Sequence, residues 1–405
     1  MGIQQLPSAP TPVTKGSIAV GTGTGTALLP VSALNNQSLL SDSTQTTGLK
    51  YGSPTRQWTS YTLVAASTAS GNPNASGSTI QSQVIYGNGY YAFATGRFVW
   101  YSTDGKNWQT VLVHASTLYG LVTNPSGSVW LAYGSTNAIF SAPNPSGPWT
   151  ARTSNMSGTS NIQVVEWVPS YNLFVLTGNC NASPFNVIST SPDGFTWTAR
   201  FTGGGAVSNG ITMSNNLSTT TVVGFASGSQ TGAFSTNGTT WTSTNINGGT
   251  AYNGQIIWMP TAGRFQCLAS NQYSQTAANV ATAWGTAPIV AYNTFTYTPL
   301  TSSGTNGLVW KPIYDASTQR WYAISGGEVQ GNSMVIVDDT QATLFYYTTG
   351  SEFNYMNRVI SQEKVPYAFY GGSTGPQYPL SYANGYFFLV GQDSNRAIIM
   401  YNTIP

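Results

Sequence analysis

The chain has 405 residues, of which only 6% are charged, with a formal net charge of +2, against roughly 25% charged in an ordinary globular protein. Nucleic-acid binding is excluded, because phosphate contacts need clustered Lys and Arg and none is visible. Polarity rests instead on Ser, Thr, Asn, Gln, Gly and Tyr, while 40% hydrophobic and 13% aromatic residues supply a sizeable core. No apolar run approaches a membrane span, so no membrane insertion is expected. The opening MGIQQLPSAPTPV has neither a basic n-region nor an apolar h-region, so no secretory signal is expected. Cys180 and Cys267 are too few for a disulfide framework and read as small buried hydrophobes. The sole histidine, His114, lacks an HxxxH or HxH partner, so neither a metal nor another cofactor is expected.

Residues 1–57 are rich in Gly, Thr and Ser with short apolar pairs, and alone they read as linker or disorder. From residue 58 the pattern becomes short aromatic and β-branched runs broken by Gly, Asn, Pro and Ser, which predicts an all-β chain. Seven hairpins with an aromatic-rich second strand follow: VIYGNGYYAFAT (Val84), LVTNPSGSVWLAYG (Leu121), VVEWVPSYNLFVLTG (Val164), ITMSNNLSTTTVVGFAS (Ile211), IIWMPTAGRFQCLAS (Ile256), PIYDASTQRWYAIS (Pro312) and PLSYANGYFFLVG (Pro379). Their Gly/Asn/Pro clusters suit tight antiparallel turns.

Each hairpin is followed by a third strand, a turn and an aromatic that opens a fourth strand. The copies are YSTDGKNW (Tyr101), IFSAPNPSGPW (Ile139), VISTSPDGFTW (Val187) and AFSTNGTTW (Ala233), with weaker ones at IVAYNTFTY (Ile289) and LFYYTTGSEF (Leu344). The spacing of the closing aromatics is about 41 to 56 residues, the period of a four-stranded propeller blade. The last copy, IIMYNT at Ile398, stops without a fourth strand, whereas WTSYTL at Trp58 is a fourth strand without a hairpin. The expected architecture is a seven-bladed β-propeller over residues 58–405, closed by an N-terminal strand and preceded by an extended attachment arm over residues 1–57.

The phrase SxDGxxW resembles the Asp-box of sialidases and related propellers, with one residue fewer between Asp and Gly. The resemblance implies a turn brace between third and fourth strands. Residue chemistry agrees, since Asx side chains bond their own turns and Gly takes positive φ. Asp104 and Asp193 give way to Asn237, and Thr349 fills the sixth copy, which suits a brace better than a general acid. Asp104, Gly105, Asp193, Gly194, Asn237 and Gly238 are therefore turn residues. Trp108, Trp149, Trp197 and Trp241 are packing residues in one slot, relaxed to Tyr297 and Phe353.

No catalytic residue is assigned. A sialidase-type site needs an arginine cluster and an acid, and Glu166, on a predicted innermost strand, is the best acid. A two-carboxylate site needs a second acid nearby. Asp315 and Asp393 read as loop residues, and the Asp338–Asp339 pair as part of a long insertion. Binding needs less. The fourth-to-first and second-to-third connections share one face, and the longest span residues 270–288, 325–343 and 354–378. Tyr252, Tyr273, Trp284 and Tyr370 fall in or beside such connections and suit ligand stacking, with host-surface polysaccharide as the candidate ligand.

At NNQSLLSDSTQTTGLKYGS (Asn35 to Ser53) the arm resembles a phrase common in bacteriophage virion proteins, following a VG…LPVG-like segment; Ser32, Asn36 and Tyr51 depart from it. The resemblance implies a virion surface protein such as a tail or head fibre, with residues 1–57 docking other virion proteins, the propeller facing outward, and homo-oligomerisation open. The alternatives are a propeller glycosidase or depolymerase on the same particle, and a secreted lectin-like protein.

Overall fold

The structure is a computed structural model. It describes residues 18–21, 26–29, 38–41, 49–52, 59–63, 82–158, 161–180, 182, 186–202, 210–216, 218–225, 232–246, 255–260, 263–268, 273–276, 280–282, 284–286, 290–291, 313–315, 320–325, 333–338, 343–347, 380–384, 386–393 and 396–403. The chain divides into two compact units, residues 1–59 with 402–405, and residues 60–401. In the first, Ile18–Gly21 pairs with Thr26–Leu29 and Ser38–Ser41 with Leu49–Gly52, both antiparallel. Where the sequence alone reads as linker or disorder, these four described strands form two hairpins.

The larger unit is a β-propeller: a series of sheets, each built around antiparallel strands consecutive in the chain, with a non-consecutive strand added at the edge of sheets 6 and 7. Sheet 1 holds Ile85–Gly87, Tyr90–Thr95, Phe98–Ser102 and Gln109–Leu112. Sheet 2 holds Leu118–Thr123, Trp130–Gly134, Ile139–Ala142 and Thr150–Ala151. Sheet 3 holds Asn161–Val168, Leu173–Asn179, Asn186–Ser191 and Thr198–Thr202. Sheet 4 holds Gly210–Asn215, Thr221–Phe225, Gly232–Ser235 and Thr242–Thr244.

Sheets 5 and 6 correct the repeat boundaries read from sequence. In sheet 5, Gln255–Met259 and Arg264–Leu268 are followed by Tyr273–Thr276 and Gly285–Thr286. The third and fourth strands thus lie inside the supposed 270–288 connection. In sheet 6, Ile313–Asp315, Arg320–Ser325, Ser333–Asp338 and Thr343–Tyr347 pair in sequence. Its third strand is Ser333–Asp338, and the run that opens LFYYTTGSEF is the fourth. Asp338 closes that third strand, paired with Arg320 and Thr343, rather than riding on an insertion. Asp315 and Asp393 likewise end strands. Sheet 7 contains Leu380–Ala383, Tyr386–Asp393, Arg396–Thr403 and, at its edge, Thr59–Leu63. Tyr297, Thr349 and Phe353 lie outside the described residues.

In sheets 1 to 3 burial falls from the second and third strands to the fourth. Trp130–Gly134 is buried at every position, whereas Thr198–Thr202 is exposed or half-buried throughout. The inner strands are sandwiched by neighbouring sheets on both faces, so their sequence is continuously apolar instead of alternating. One core cluster joins sheets 2, 3 and 4 through Leu131, Val164, Phe174, Trp197, Val223 and Trp241. A second joins sheets 1 and 2 through Val99, Leu118 and Trp130, and a third packs Phe93 and Trp100 of sheet 1 against Phe388 of sheet 7.

A bulge recurs where the chain enters the first strand of sheets 2, 3 and 4, between Leu118 and Gly120, Ile162 and Val164, and Gly210 and Thr212. In sheets 2 and 3 the entering backbone lies directly over a glycine of the second strand. A side chain on Gly134 would collide with the Thr117 carbonyl, and one on Gly178 with that of Asn161. At the rim, segments leaving one sheet pair with the next sheet's outer strand: Thr153 bridges Thr196 in parallel, Trp284 N–H donates to Asn245 O (3.1 Å), and Val290–Ala291 pairs in parallel with Thr343–Leu344.

Candidate functional site

Consecutive antiparallel strands put the first-to-second and third-to-fourth turns at one end of each sheet. The second-to-third turn and the connection to the next sheet lie at the other end. The two ends are built differently.

At the first end, Asp104 is a brace. Its Oδ1 accepts from the N–H groups of Lys106 (2.8 Å) and Asn107 (2.7 Å), while Ser102 Oγ accepts from Gly105 N–H (2.9 Å) and donates to the carboxylate (2.9 Å). Asp193 does the same toward Phe195 and Thr196, and the Asn237 amide oxygen toward Thr239 and Thr240. Gly105, Gly194 and Gly238 take φ of 72°, 77° and 73°, a region that costs an L side chain strain. Burial would raise the Asp104 pKa, but donation from Asn107, Lys106 and Ser102 outweighs it and holds the carboxyl well below its usual range. Asp193 is lowered for the same reason, with burial opposing and the Thr196 and Phe195 N–H groups prevailing. These side chains are consumed by their own turns. Trp197 and Trp241 are buried, and Trp108 packs at 5.1 Å from the Phe93 ring. The second copy differs: Asn144 Oδ1 accepts from Ser146 N–H (3.0 Å), and a cis Gly147–Pro148 bond leads into half-buried Trp149.

At the opposite end, polar groups of sheets 1 to 3 form one arc, uncharged except for Arg97 at its start. Arg97 donates through Nε to His114 O (3.4 Å), and His114 Nδ1 accepts from Ser116 N–H (3.0 Å). Ser135 N–H donates to Thr117 O (2.9 Å), and Thr136 Oγ1 donates to Ser116 Oγ (3.2 Å). Thr136 N–H reaches Asn161 Oδ1 (3.3 Å), and Asn137 Nδ2 donates to Gly158 O (2.5 Å). Asn186 N–H then reaches Ser157 Oγ (3.2 Å) and Thr202 Oγ1 reaches Asn186 Oδ1 (3.1 Å). Thr136 and Gly158 are exposed, and Ser116, Asn137, Asn161 and Asn186 are half-buried. The arc can present donors and acceptors to a ligand with almost no net charge. Sequence reasoning missed it, although the Gly that ends WLAYG and FVLTG marks where the connections cross.

Of the four aromatics expected to stack a ligand, Trp284 is corrected. It is 4% exposed and packs with Phe265, Ile246 and Val280. The reason is its position immediately before Gly285–Thr286: it is the fourth-strand Trp of sheet 5, in the slot of Trp241. Tyr273 begins the third strand of that sheet, paired with Thr286. Tyr252 and Tyr370 lie outside the described residues. Glu166 is half-buried on the first strand of sheet 3, opposite Val175. Arg152 and Arg200 belong to the outer rim, where their Nε atoms bind Ser141 Oγ (2.8 Å) and Thr190 Oγ1 (2.9 Å). Cys180 is buried, and its thiol donates to Asn186 O (2.6 Å). Among the described residues no cluster of three His, Cys, Asp or Glu could hold a metal, and no helix is long and apolar enough to cross a membrane.

No protein-family model matches the sequence, and no curated protein matches it. Solved structures do. The chain is similar to "YCF48 bound to D1 peptide", with TM-score 0.51 at 13% identity, covering 86% of this chain and 96% of that one. It is also similar to YCF48 from Cyanidioschyzon merolae, with TM-score 0.53 at 12% identity, covering 86% and 98%. At such identity the likeness is one of fold. It overturns the expectation of a phage virion surface protein, because the propeller's structural relatives here are YCF48 chains and not particle appendages. The phrase at residues 35–53 is short and of low complexity.

Proposed function

We propose that this chain is a non-enzymatic β-propeller binding module that docks an extended, largely uncharged segment of another protein across the connection face of sheets 1 to 3. The observation that carries the reading is the arc from Ser116 to Thr202, a braced row of neutral donors and acceptors on the loop-bearing end of the sheets. A propeller of the same fold is described as bound to a D1 peptide, which supports a peptide segment as the kind of ligand. Binding is favoured over hydrolysis because Asp104 and Asp193 are engaged by their turns and Arg152 and Arg200 by third-strand hydroxyls.

The ring we propose has seven blades, closed where Thr59–Leu63 completes sheet 7. Support comes from equivalence between junctions. The Gly194 turn of sheet 3 rests on Leu131 of sheet 2, the Gly238 turn of sheet 4 on Tyr171 and Leu173 of sheet 3, and the Gly105 turn of sheet 1 on Phe388 of sheet 7. We assign these turns to the Asp-box type.

Selection of a random peptide display library on the purified chain tests the function. Enriched peptides should be poor in charged residues and bind with an affinity nearly independent of salt, since few charges are screened. Thr136→Gly or Asn161→Ala should weaken them, and Asp104→Asn at the opposite end should not. Absence of enrichment, or equal loss in all three variants, would sink the reading.

A further inference from the structure

Where sheet 1 hands over to sheet 2, the chain makes a turn that is fastened by a histidine. His114 Nδ1 accepts from Ser116 N–H (3.0 Å), a bond to the second residue on of the kind that Asn, Asp, Ser and Thr side chains ordinarily make. The connection from sheet 2 to sheet 3 makes its own such bond with a hydroxyl, Ser154 Oγ accepting from Met156 N–H (3.3 Å). The histidine also ties the connection to both sheets. Its carbonyl accepts from Arg97 Nε of sheet 1 (3.4 Å), and its ring lies 5.0 Å from that of Phe140 in sheet 2. The residues that follow carry the arc. Ser116 Oγ accepts from Thr136 Oγ1 (3.2 Å), and Thr117 O accepts from Ser135 N–H (2.9 Å).

Of these two turns only the first can be switched by a proton. A histidine ordinarily changes charge between pH 5 and 8, and this chain has no other. The bond to Ser116 N–H exists only while the ring is neutral with its proton on Nε2. A proton on Nδ1 would set two donors against each other. Nothing in residues 113–118 is acidic and could receive it. Arg97 is the charged group set against the connection from sheet 1, sheet 2 presents the Phe140 ring, and Asp104 is engaged in its turn at the opposite end. Resting on the docking reading above, we infer that His114 is a proton-sensitive latch on the connection face. With its ring neutral, the contact of Ser116 with Thr136 is held and a segment docks. With Nδ1 protonated, the turn opens, Ser116 draws away from Thr136 and docking weakens.

The test uses the full-length chain labelled with ¹⁵N-serine, the Ser116 amide signal being identified by its loss in Ser116→Ala. Two variants bracket the switch. His114→Asn offers an amide oxygen in place of Nδ1, so the turn is kept but no longer titrates. His114→Phe keeps a ring against Phe140 and removes the acceptor at every pH. Asp104 and Asp193, held below their usual range, stay ionised between pH 7.5 and pH 5. Over that interval the Ser116 signal should move in the parent and stay in place in His114→Asn. A stationary signal in the parent, or the same movement in His114→Asn, overturns the inference.

Affinity reads the consequence. Display-selected peptides free of His, Asp and Glu should bind the parent roughly tenfold more weakly at pH 5 than at pH 7.5, the loss of one backbone hydrogen bond. His114→Asn should bind alike at both, and His114→Phe should bind at both as the parent does at pH 5. If the Ser116 signal moves while affinity does not, the latch fails and the docking reading survives. If no peptide is selected while the signal moves, the docking reading fails and the proton-sensitive turn stands.

Discussion

Asp104 shows how a side chain with the look of a catalytic acid becomes structural. Its carboxylate meets four donors within its own turn. The assignment is legible from sequence because donors and acceptor lie within three residues, and because Asn237 fills the same slot with an amide. Asp104→Asn should keep most stability and Asp104→Ala should lose about 1 kcal/mol, discounted for exposure, measured as the urea midpoint; equal losses would contradict the brace. Titration follows the same logic. A carboxyl held below its unfolded pKa stabilises above that value, and the gain is lost as pH falls from about 4 toward the lowered pKa. The double variant Asp104→Asn, Asp193→Asn should therefore lose less melting temperature between pH 7 and pH 3 than the parent. An unchanged difference would place the acid sensitivity elsewhere.

At the scale of the element, the glycines under the connections matter more than those in the turns. Gly134→Ala and Gly178→Ala each force a side chain onto a backbone carbonyl that is already fixed in a bulge. Each should cost about 2–3 kcal/mol, read as a fall in melting temperature. Gly89→Ala meets no atom within 4 Å and bears only its φ of 82°, so it should cost about 1 kcal/mol. A reversed order would mean that the connections can lift off their sheets.

Elements also explain what the sequence concealed. The hairpins and the copies at Trp108, Trp197 and Trp241 announce themselves through Asx-Gly turns and aromatic runs. The third strand of sheet 5, YSQT, carries no apolar signal, and its turn lacks the Asx-Gly phrase, so Trp284 looked like a loop aromatic. The arc was hidden for another reason. Thr136 meets Ser116 and Asn161 at separations of 20 and 25 residues, and Ser, Thr and Asn in loops look alike whether or not they converge.

For the whole molecule, the junction between sheets 7 and 1 should govern cooperativity. Val84 N–H donates to Ser381 Oγ (2.9 Å), Asn384 Nδ2 to Tyr91 OH (2.9 Å), and Tyr91 packs on Phe388 at 5.4 Å. A chain starting at Trp58 should melt with the full-length protein. One starting at Val64 should melt several degrees lower and self-associate, because an outer edge is left unpaired; calorimetry and size-exclusion chromatography read both. Identical behaviour of the two truncations would remove Thr59–Leu63 from the closing role proposed for it.

That junction also sets an order of events during synthesis. Ser381 lies 297 residues beyond the amide that donates to it, and the sheet containing Thr59–Leu63 stays incomplete until Leu380–Ala383, Tyr386–Asp393 and Arg396–Thr403 have left the ribosome. Sheets 1 to 4 have local partners and can condense as they emerge, whereas the earliest of these propeller strands must wait for the last. Nascent chains arrested shortly before Leu380 are then the species most exposed to mispairing, and the ones on which a chaperone would have the longest hold.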